Sequence, residues 1–254
     1  MIKLLAGVLA GSVYAAGCFA APIADTYIGG TATHSSWAGK DVIGDKANFD
    51  IHSMEITQTG SQFQFDIATN FAGKAGNFFG SDIGYGDLFL GSSWTPASDT
   101  KNDTFTNTSW SYALVLDDHY GSGGSLTLYQ LVGGTTTNGA INDNVLLSQH
   151  LMEPTNNIYR ENQEVRVNTD SQNLVALATG NWSVGQQSLL LSVDLSGTGL
   201  MSTSDLAYHW TMYCANDVIE GQTTITTQVP EPATLGLMGL GLIGLFGFRR
   251  RKAA

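Results

Sequence analysis

Positive charge is scarce in this sequence. Of 254 residues only 11 are Lys or Arg, against 22 Asp or Glu, and charged residues make up 13% of the chain. An average soluble domain has about 25% charged residues. The formal net charge of −11 excludes a basic nucleic-acid-binding surface, so we expect no nucleic-acid partner.

The sequence also lacks the common signatures of catalysis. It has no GxSxG elbow, no HExxH pair and no P-loop, and its five histidines show no zinc-ligand spacing. We therefore expect no catalytic residues, no cofactor and no enzymatic activity. A secreted matrix hydrolase stays open as an alternative, because Ser, His and Asp are all present and can meet in space.

The eleven cations are unevenly distributed along the chain, and four of them lie together at residues 249–252. Residues 21–228 hold six cations and 21 acids, a net charge of −15. At the N-terminus, Lys3 precedes an apolar run of residues 4–16, a pattern typical of a secretory signal peptide. We predict a signal peptide over residues 1–20, cleaved between Ala20 and Ala21. The alternatives are a buried N-terminal helix or strand, and a lipoprotein, because residues 15–18 (Ala-Ala-Gly-Cys) loosely resemble a lipobox.

The C-terminus combines an extended segment, an apolar run and a cationic cluster. Each proline in Val229-Pro230-Glu231-Pro232 fixes φ and disfavours helix at the residue before it, so this segment should be extended. Residues 233–248 predict a single membrane helix about 24 Å long. Its apolar side chains are Leu235, Leu237, Leu240, Leu242, Ile243, Leu245, Phe246 and Phe248. The positive-inside rule places the stop sequence Arg249, Arg250, Arg251 and Lys252 in the cytoplasm.

This order of elements resembles the PEP-CTERM sorting signal of Gram-negative bacteria that produce exopolysaccharide. The resemblance covers residues 229–252 and implies recognition of Val229, Pro230, Glu231 and Pro232 by a membrane-embedded exosortase. It also implies an inner-membrane-anchored precursor that is exported to the cell surface or extracellular matrix, with exopolysaccharide as a possible partner. The alternative is a plain single-pass anchor in which Pro-Glu-Pro occurs by chance.

The body between these signals reads as antiparallel β-structure. Period-two alternation and Gly-rich turns predict strands at regular spacing. The predicted strands are Phe49–Ile56, Gln62–Thr69, Asp87–Leu90, Ser109–Leu116, Ser125–Val132, Val145–Ser148, Glu164–Val167, Asn181–Val184, Gln187–Leu195 and Leu206–Cys214. We expect an all-β, jelly-roll-like β-sandwich over residues 21–222, with His209 and Thr211 facing outward. A polar linker (223–228) would join it to the sorting signal (229–254).

Four segments of the body resemble those of a group of uncharacterised PEP-CTERM proteins. They are residues 27–30, 41–44, 86–90 and 216–221, and in that group Gly usually stands where this chain has Ala215. No activity comes with this resemblance.

The remaining candidates in the body are one thiol, several carboxylates and the tryptophans. We interpret Cys214 as a buried thiol, with an intermolecular bridge as the alternative. Calcium or carbohydrate binding is the alternative function of the body, because calcium prefers oxygen ligands and indole rings stack on sugars. The calcium candidates are Asp99 and Asp103 with Asn102, Asp117 with Asp118, and residues 142–144. The sugar candidates are Trp37, Trp94, Trp110 and Trp182. Trp37 and Trp94 are better candidates than Trp110 or Trp210, because their sequence surroundings indicate loops.

Overall fold

The structure is a computed structural model, which describes residues 18–19, 21–30, 32–78, 80–96, 108–135, 144–152 and 158–225. Helices are short: α1 (Lys46–Phe49), α2 (Ser148–Leu151) and 3-10 turns at Ser35–Trp37 and Gly199–Ser202. The strands are β1 (Cys18–Phe19), β2 (Ile23–Ala24), β3 (Ile51–Thr59), β4 (Gln62–Thr69), β5 (Gly76–Phe78), β6 (Ser81–Ile83), β7 (Leu88–Gly91), β8 (Trp110–Leu116), β9 (Gly123–Thr135), β10 (Val145–Leu147), β11 (Glu164–Val167), β12 (Leu174–Val184), β13 (Ser188–Asp194), β14 (Asp205–Thr211) and β15 (Val218–Thr224).

Eleven of these strands form one antiparallel sheet. The order is β1-β3-β4-β13-β12-β9-β8-β7-β14-β15, and β2 also pairs with β3. The sheet curls so that its distant strands approach each other: the Ile51 amide at the start of β3 donates to Asp217 Oδ2, just before β15, at 2.6 Å. The antiparallel β architecture is confirmed. The described strands form this curled sheet and two separate hairpins, β5–β6 and β10–β11.

Alternation along neighbouring strands builds the main core. Phe63, Phe65 and Ile67 of β4 and the alternate leucines of β13 are all buried, as their period-two pattern predicts. Burying a side chain of this size stabilises the fold by about 1.5–3 kcal/mol. In the predicted strand Phe49–Ile56 the alternation changes phase between Ile51 and Met54, which predicts a bulge. The structure has one there, because the β3–β4 register shifts between Ile51 and Ser53.

The prediction of an outward-facing His209 and Thr211 on β14 is wrong. Both side chains are fully buried, as are the inward-facing residues of the same strand. A second hydrophobic cluster covers this outer face, and it includes Val145 and Val167 from the β10–β11 hairpin. Alternation alone did not show that a later hairpin would cover the polar face.

Two glycines let the β6–β7 connection pack tightly against other backbone. A Cβ on Gly84 would lie 2.9 Å from Tyr213 Cζ and 3.0 Å from the His119 carbonyl oxygen. A Cβ on Gly86 would lie 2.2 Å from the Thr211 carbonyl oxygen. Gly84 and Gly86 are therefore required for this close approach, because any larger residue would place a Cβ against these atoms.

Candidate functional site

A buried arginine joins three distant parts of the body. Arg160 is 1% exposed. Its Nη1 donates to the Gly30 carbonyl at 2.7 Å, its Nη2 to the carbonyls of Asp41 (2.7 Å) and Lys40 (3.2 Å), and its Nε to that of Ala215 (3.3 Å). The guanidinium thus fixes the N-terminal segment against the turn between β14 and β15.

Three carboxylates gather beside this arginine. One side-chain oxygen from each of Asp25, Asp41 and Asp217 lies within 4.8 Å of the other two. Asp217 is fully buried, and it accepts the amides of Ile51 (2.6 Å, Oδ2) and Val218 (3.0 Å, Oδ1). Asp25 Oδ1 accepts the Tyr27 amide at 3.1 Å, whereas its Oδ2 is buried without a hydrogen-bond partner.

Burial makes ionisation of this cluster unfavourable. Desolvation raises the pKa of Asp25 to about 8; the Asp41 charge adds to the rise, and the Tyr27 hydrogen bond and Arg160 oppose it. Desolvation and the Asp25 charge also raise the pKa of Asp217 well above its ordinary value, and burial raises that of Asp41. Three ionised carboxylates beside one guanidinium would leave two uncompensated negative charges, so the cluster can hold a proton or a cation.

The two described calcium candidates already have partners in the β8–β9 hairpin. Asp117 accepts Trp182 Nε1–H at 2.8 Å, and also the amide and hydroxyl of Ser125, and these bonds lower its pKa. Asp118 accepts the Tyr120 amide at 2.9 Å. The other candidates, Asp99 and Asp103, lie outside the described residues, as do residues 142 and 143. Calcium binding therefore stays a prediction.

The tryptophans divide between core and loops. Trp110, Trp182 and Trp210 are buried, whereas Trp37 at the end of a 3-10 turn and Trp94 in a loop are partly exposed. The indole N–H of Trp94 donates to Glu220 Oε1 at 2.7 Å, which holds this ring against the body.

The structure confirms that Cys214 is a buried free thiol. Desolvation raises its pKa to about 12. A thiol in this environment is unreactive at neutral pH, because the thiolate is the nucleophile.

The end of the chain gives the clearest functional match. Comparison with protein-family models matches residues 228–252 to the PEP-CTERM protein-sorting motif. The chain carries a PEP-CTERM sorting motif. This match confirms the resemblance drawn from Pro230, Glu231 and Pro232 and the elements that follow them. No curated protein and no solved structure matches the chain.

The PEP-CTERM motif implies an exported, membrane-anchored precursor and exosortase as its processing partner. The motif, the predicted membrane helix at 233–248 and the cationic stop all lie outside the described residues. Within the part of the chain that the structure describes, no helix is long and apolar enough to cross a membrane. Of the predicted signal peptide, the described residues are Cys18 and Phe19, whose backbone pairs with β3. Its cleavage remains a prediction.

The sequence did not single out Arg160 or the three carboxylates as a group. Asp41 and Asp217 belong to segments that resemble the uncharacterised PEP-CTERM group, and those segments meet at Arg160. The amide of Ile43 also donates to the carbonyl of Asn216 at 2.7 Å. The resemblance of these segments was therefore the signal in the sequence that pointed to this site. The segments are far apart in the chain, so the sequence did not show that they are in contact.

Proposed function

We propose that this chain is an exosortase substrate whose acidic β body is displayed at the cell surface or released into the extracellular matrix. The observation that carries the proposal is the PEP-CTERM match at residues 228–252, directly after the folded body. We further propose that the body works without catalysing a reaction. The absence of catalytic motifs from the sequence supports this part.

The structure supports a short connection between the body and the sorting signal. Strand β15 ends at Thr224, two residues into the predicted linker, and the Ile225 amide still donates to the Ser204 carbonyl at 2.8 Å. From Ile225 to Pro230 an extended chain spans at most roughly 17 Å. The proline-stiffened segment would therefore reach exosortase close to the folded body.

Substitutions in the Pro-Glu-Pro segment test the sorting function. Replacing Pro230 and Pro232 with Ala removes the extended conformation, so we expect an unprocessed precursor to accumulate in the inner-membrane fraction. Replacing Thr227 with Ala, in the linker, is the matched control and should leave processing unchanged. Wild-type processing of the double proline variant would contradict the proposed recognition.

Exopolysaccharide is the partner we propose for the displayed body, and its test is a pull-down of the exported protein with polysaccharide from the producing strain.

Calcium binding is the alternative role of the body. A calcium titration by calorimetry decides it, with Asp41→Asn as the variant in the three-carboxylate cluster. A flat calcium response of the wild-type protein would remove this alternative.

A further inference from the structure

An apolar cavity of about 250 Å³ lies where α1, β6, α2 and the turn between β14 and β15 meet. Its walls include the buried side chains of Phe49, Ile83 and Met152, and also Ile158, which is 41% exposed. An apolar cavity of about 150 Å³ in another protein is large enough to bind benzene. At the same ratio of volume to atoms, the cavity beside Phe49 holds a molecule of about ten non-hydrogen atoms.

One polar side chain in the cavity wall has no hydrogen-bond partner. Asn216 lines the cavity and is 5% exposed, and its Oδ1 is buried without a partner. Its Nδ2 lies 3.5 Å from the position that a Cβ on Gly44 would take. A half turn of the amide group exchanges Oδ1 and Nδ2, and no hydrogen bond holds the group in one orientation, so either atom can face the cavity. A buried amide without a partner is unfavourable, and a ligand that hydrogen-bonds to it removes this cost.

The backbone that carries Asn216 is fixed in place. The Asn216 carbonyl accepts the Ile43 amide at 2.7 Å, and the amide of the preceding residue, Ala215, donates to the Met212 carbonyl at 2.8 Å. The unpartnered amide is therefore presented to the cavity from a rigid wall, which lowers the entropic cost of binding a ligand there.

The charges around the cavity disfavour an anionic ligand. Asp45 lines the cavity, and its carboxylate accepts the Ala47 amide at 2.9 Å and Asn48 Nδ2 at 3.1 Å. Among the described residues that line the cavity, none is a cation. An anion would lose its water beside a carboxylate, in a body whose net charge is −15, so a neutral ligand is favoured.

We propose that this cavity binds a small neutral aromatic alcohol, with its ring between Phe49 and Met152 and its hydroxyl hydrogen-bonded to the Asn216 amide. An aromatic ring packs favourably against another ring and against a thioether sulfur. A hydroxyl both donates and accepts, so it matches whichever amide atom faces the cavity. The inference concerns the body alone and does not depend on how the C-terminal segment is processed.

The test is a calorimetric titration of the exported protein with 2-phenylethanol. Detergent is left out, because it would itself fill an apolar cavity. Ethylbenzene, which lacks the hydroxyl, and phenylacetate, which is an anion of similar size, are the comparison probes. We expect saturable binding of 2-phenylethanol and no measurable binding of phenylacetate.

Methyl NMR of the same protein locates the binding without any substitution. The methyl signals of Met152 and Ile158 should shift with the same saturation curve as the calorimetry. The methyl signal of Met201, in the 3-10 turn Gly199–Ser202, should stay unchanged.

Asn216→Ala tests the hydrogen bond. It should weaken 2-phenylethanol binding by about threefold to tenfold and leave ethylbenzene binding unchanged, because only the alcohol uses the amide. Asn181→Ala is the matched control, since Asn181 is an exposed asparagine on β12, and it should bind both probes like the wild type.

Three results would overturn the proposal. The first is no saturable binding of 2-phenylethanol, or binding that leaves the Met152 and Ile158 methyl signals unshifted. The second is phenylacetate binding as tight as that of the alcohol. The third is a folded Asn216→Ala variant that keeps wild-type affinity for 2-phenylethanol, or that loses affinity for both neutral probes equally. The NMR result on the wild type keeps the test valid if this variant does not fold.

Discussion

The raised pKa of Asp25 predicts that the body loses stability as pH rises through the neutral range. An unfolded Asp has a pKa of about 3.9, while burial raises that of folded Asp25 to about 8. Between these values the folded state binds more protons than the unfolded state. The stabilising effect is complete below the unfolded pKa and is lost progressively as pH rises to the folded pKa.

The magnitude of this effect follows from proton linkage. One group that is protonated in the folded state and ionised in the unfolded state lowers the free energy of unfolding by about 1.4 kcal/mol per pH unit. Between about pH 5.5 and 7.5, Asp25 alone would therefore remove about 2.7 kcal/mol. Asp217 contributes in the same direction, because its pKa is also raised.

Asp25→Asn tests this contribution. Asparagine has the same shape, keeps an oxygen for the Tyr27 amide and cannot ionise. The pH slope should fall by at least about 1.4 kcal/mol per unit, because loss of the Asp25 charge also lowers the pKa of Asp217. The assay is urea unfolding, followed by tryptophan fluorescence at both pH values. Asp194→Asn is the control, because it also removes one negative charge but at a group whose pKa is lowered by the Ser196 amide. A pH profile of Asp25→Asn parallel to that of the wild type would refute the reasoning.

Three further predictions concern single side chains. Arg160→Met removes four hydrogen bonds to backbone carbonyls and the cation beside the carboxylates. Urea unfolding should therefore show that the free energy of unfolding falls by about 3–5 kcal/mol. Lys40→Met is the control, with an expected loss below about 1 kcal/mol, and a loss that small for Arg160→Met would contradict the prediction. Asp87→Ala leaves two buried amides and His119 without their acceptor. In the same assay the free energy of unfolding should fall by about 3 kcal/mol or more. A stability equal to that of the wild type would contradict the role of Asp87. In the signal-processed protein Cys214 should react with a thiol reagent only after unfolding in urea, and rapid reaction of the native protein would show that the thiol is accessible.

Local patterns predicted the parts of the fold that depend on local physics. Strand β4 has the bounds given by its alternation, and the Gly-rich segment at residues 121–124 joins β8 to β9 as an antiparallel hairpin. The resemblance that places Gly at position 215 also agrees with the structure, since Ala215 has a φ of +46°, a conformation that favours glycine.

The candidate sites could not be predicted in the same way, because their contacts are long-range. Asp25, Asp41, Arg160 and Asp217 come from four separate regions of the chain and meet only when the sheet curls. Likewise, the burial of His209 depends on the β10–β11 hairpin, which packs on the outer face of β14. A period-two pattern reports which face is apolar and carries no information about what covers the other face.

The central claim is that the C-terminal segment serves as a sorting signal and is removed during export. Intact mass spectrometry of the exported protein, compared with the same protein from an exosortase-deficient strain, tests it most directly. We expect the exported form to lack the apolar run at 235–248 and the four cations that follow, and the deficient strain to retain both. An exported protein whose mass still includes residues 235–252 in cells with active exosortase would contradict the account.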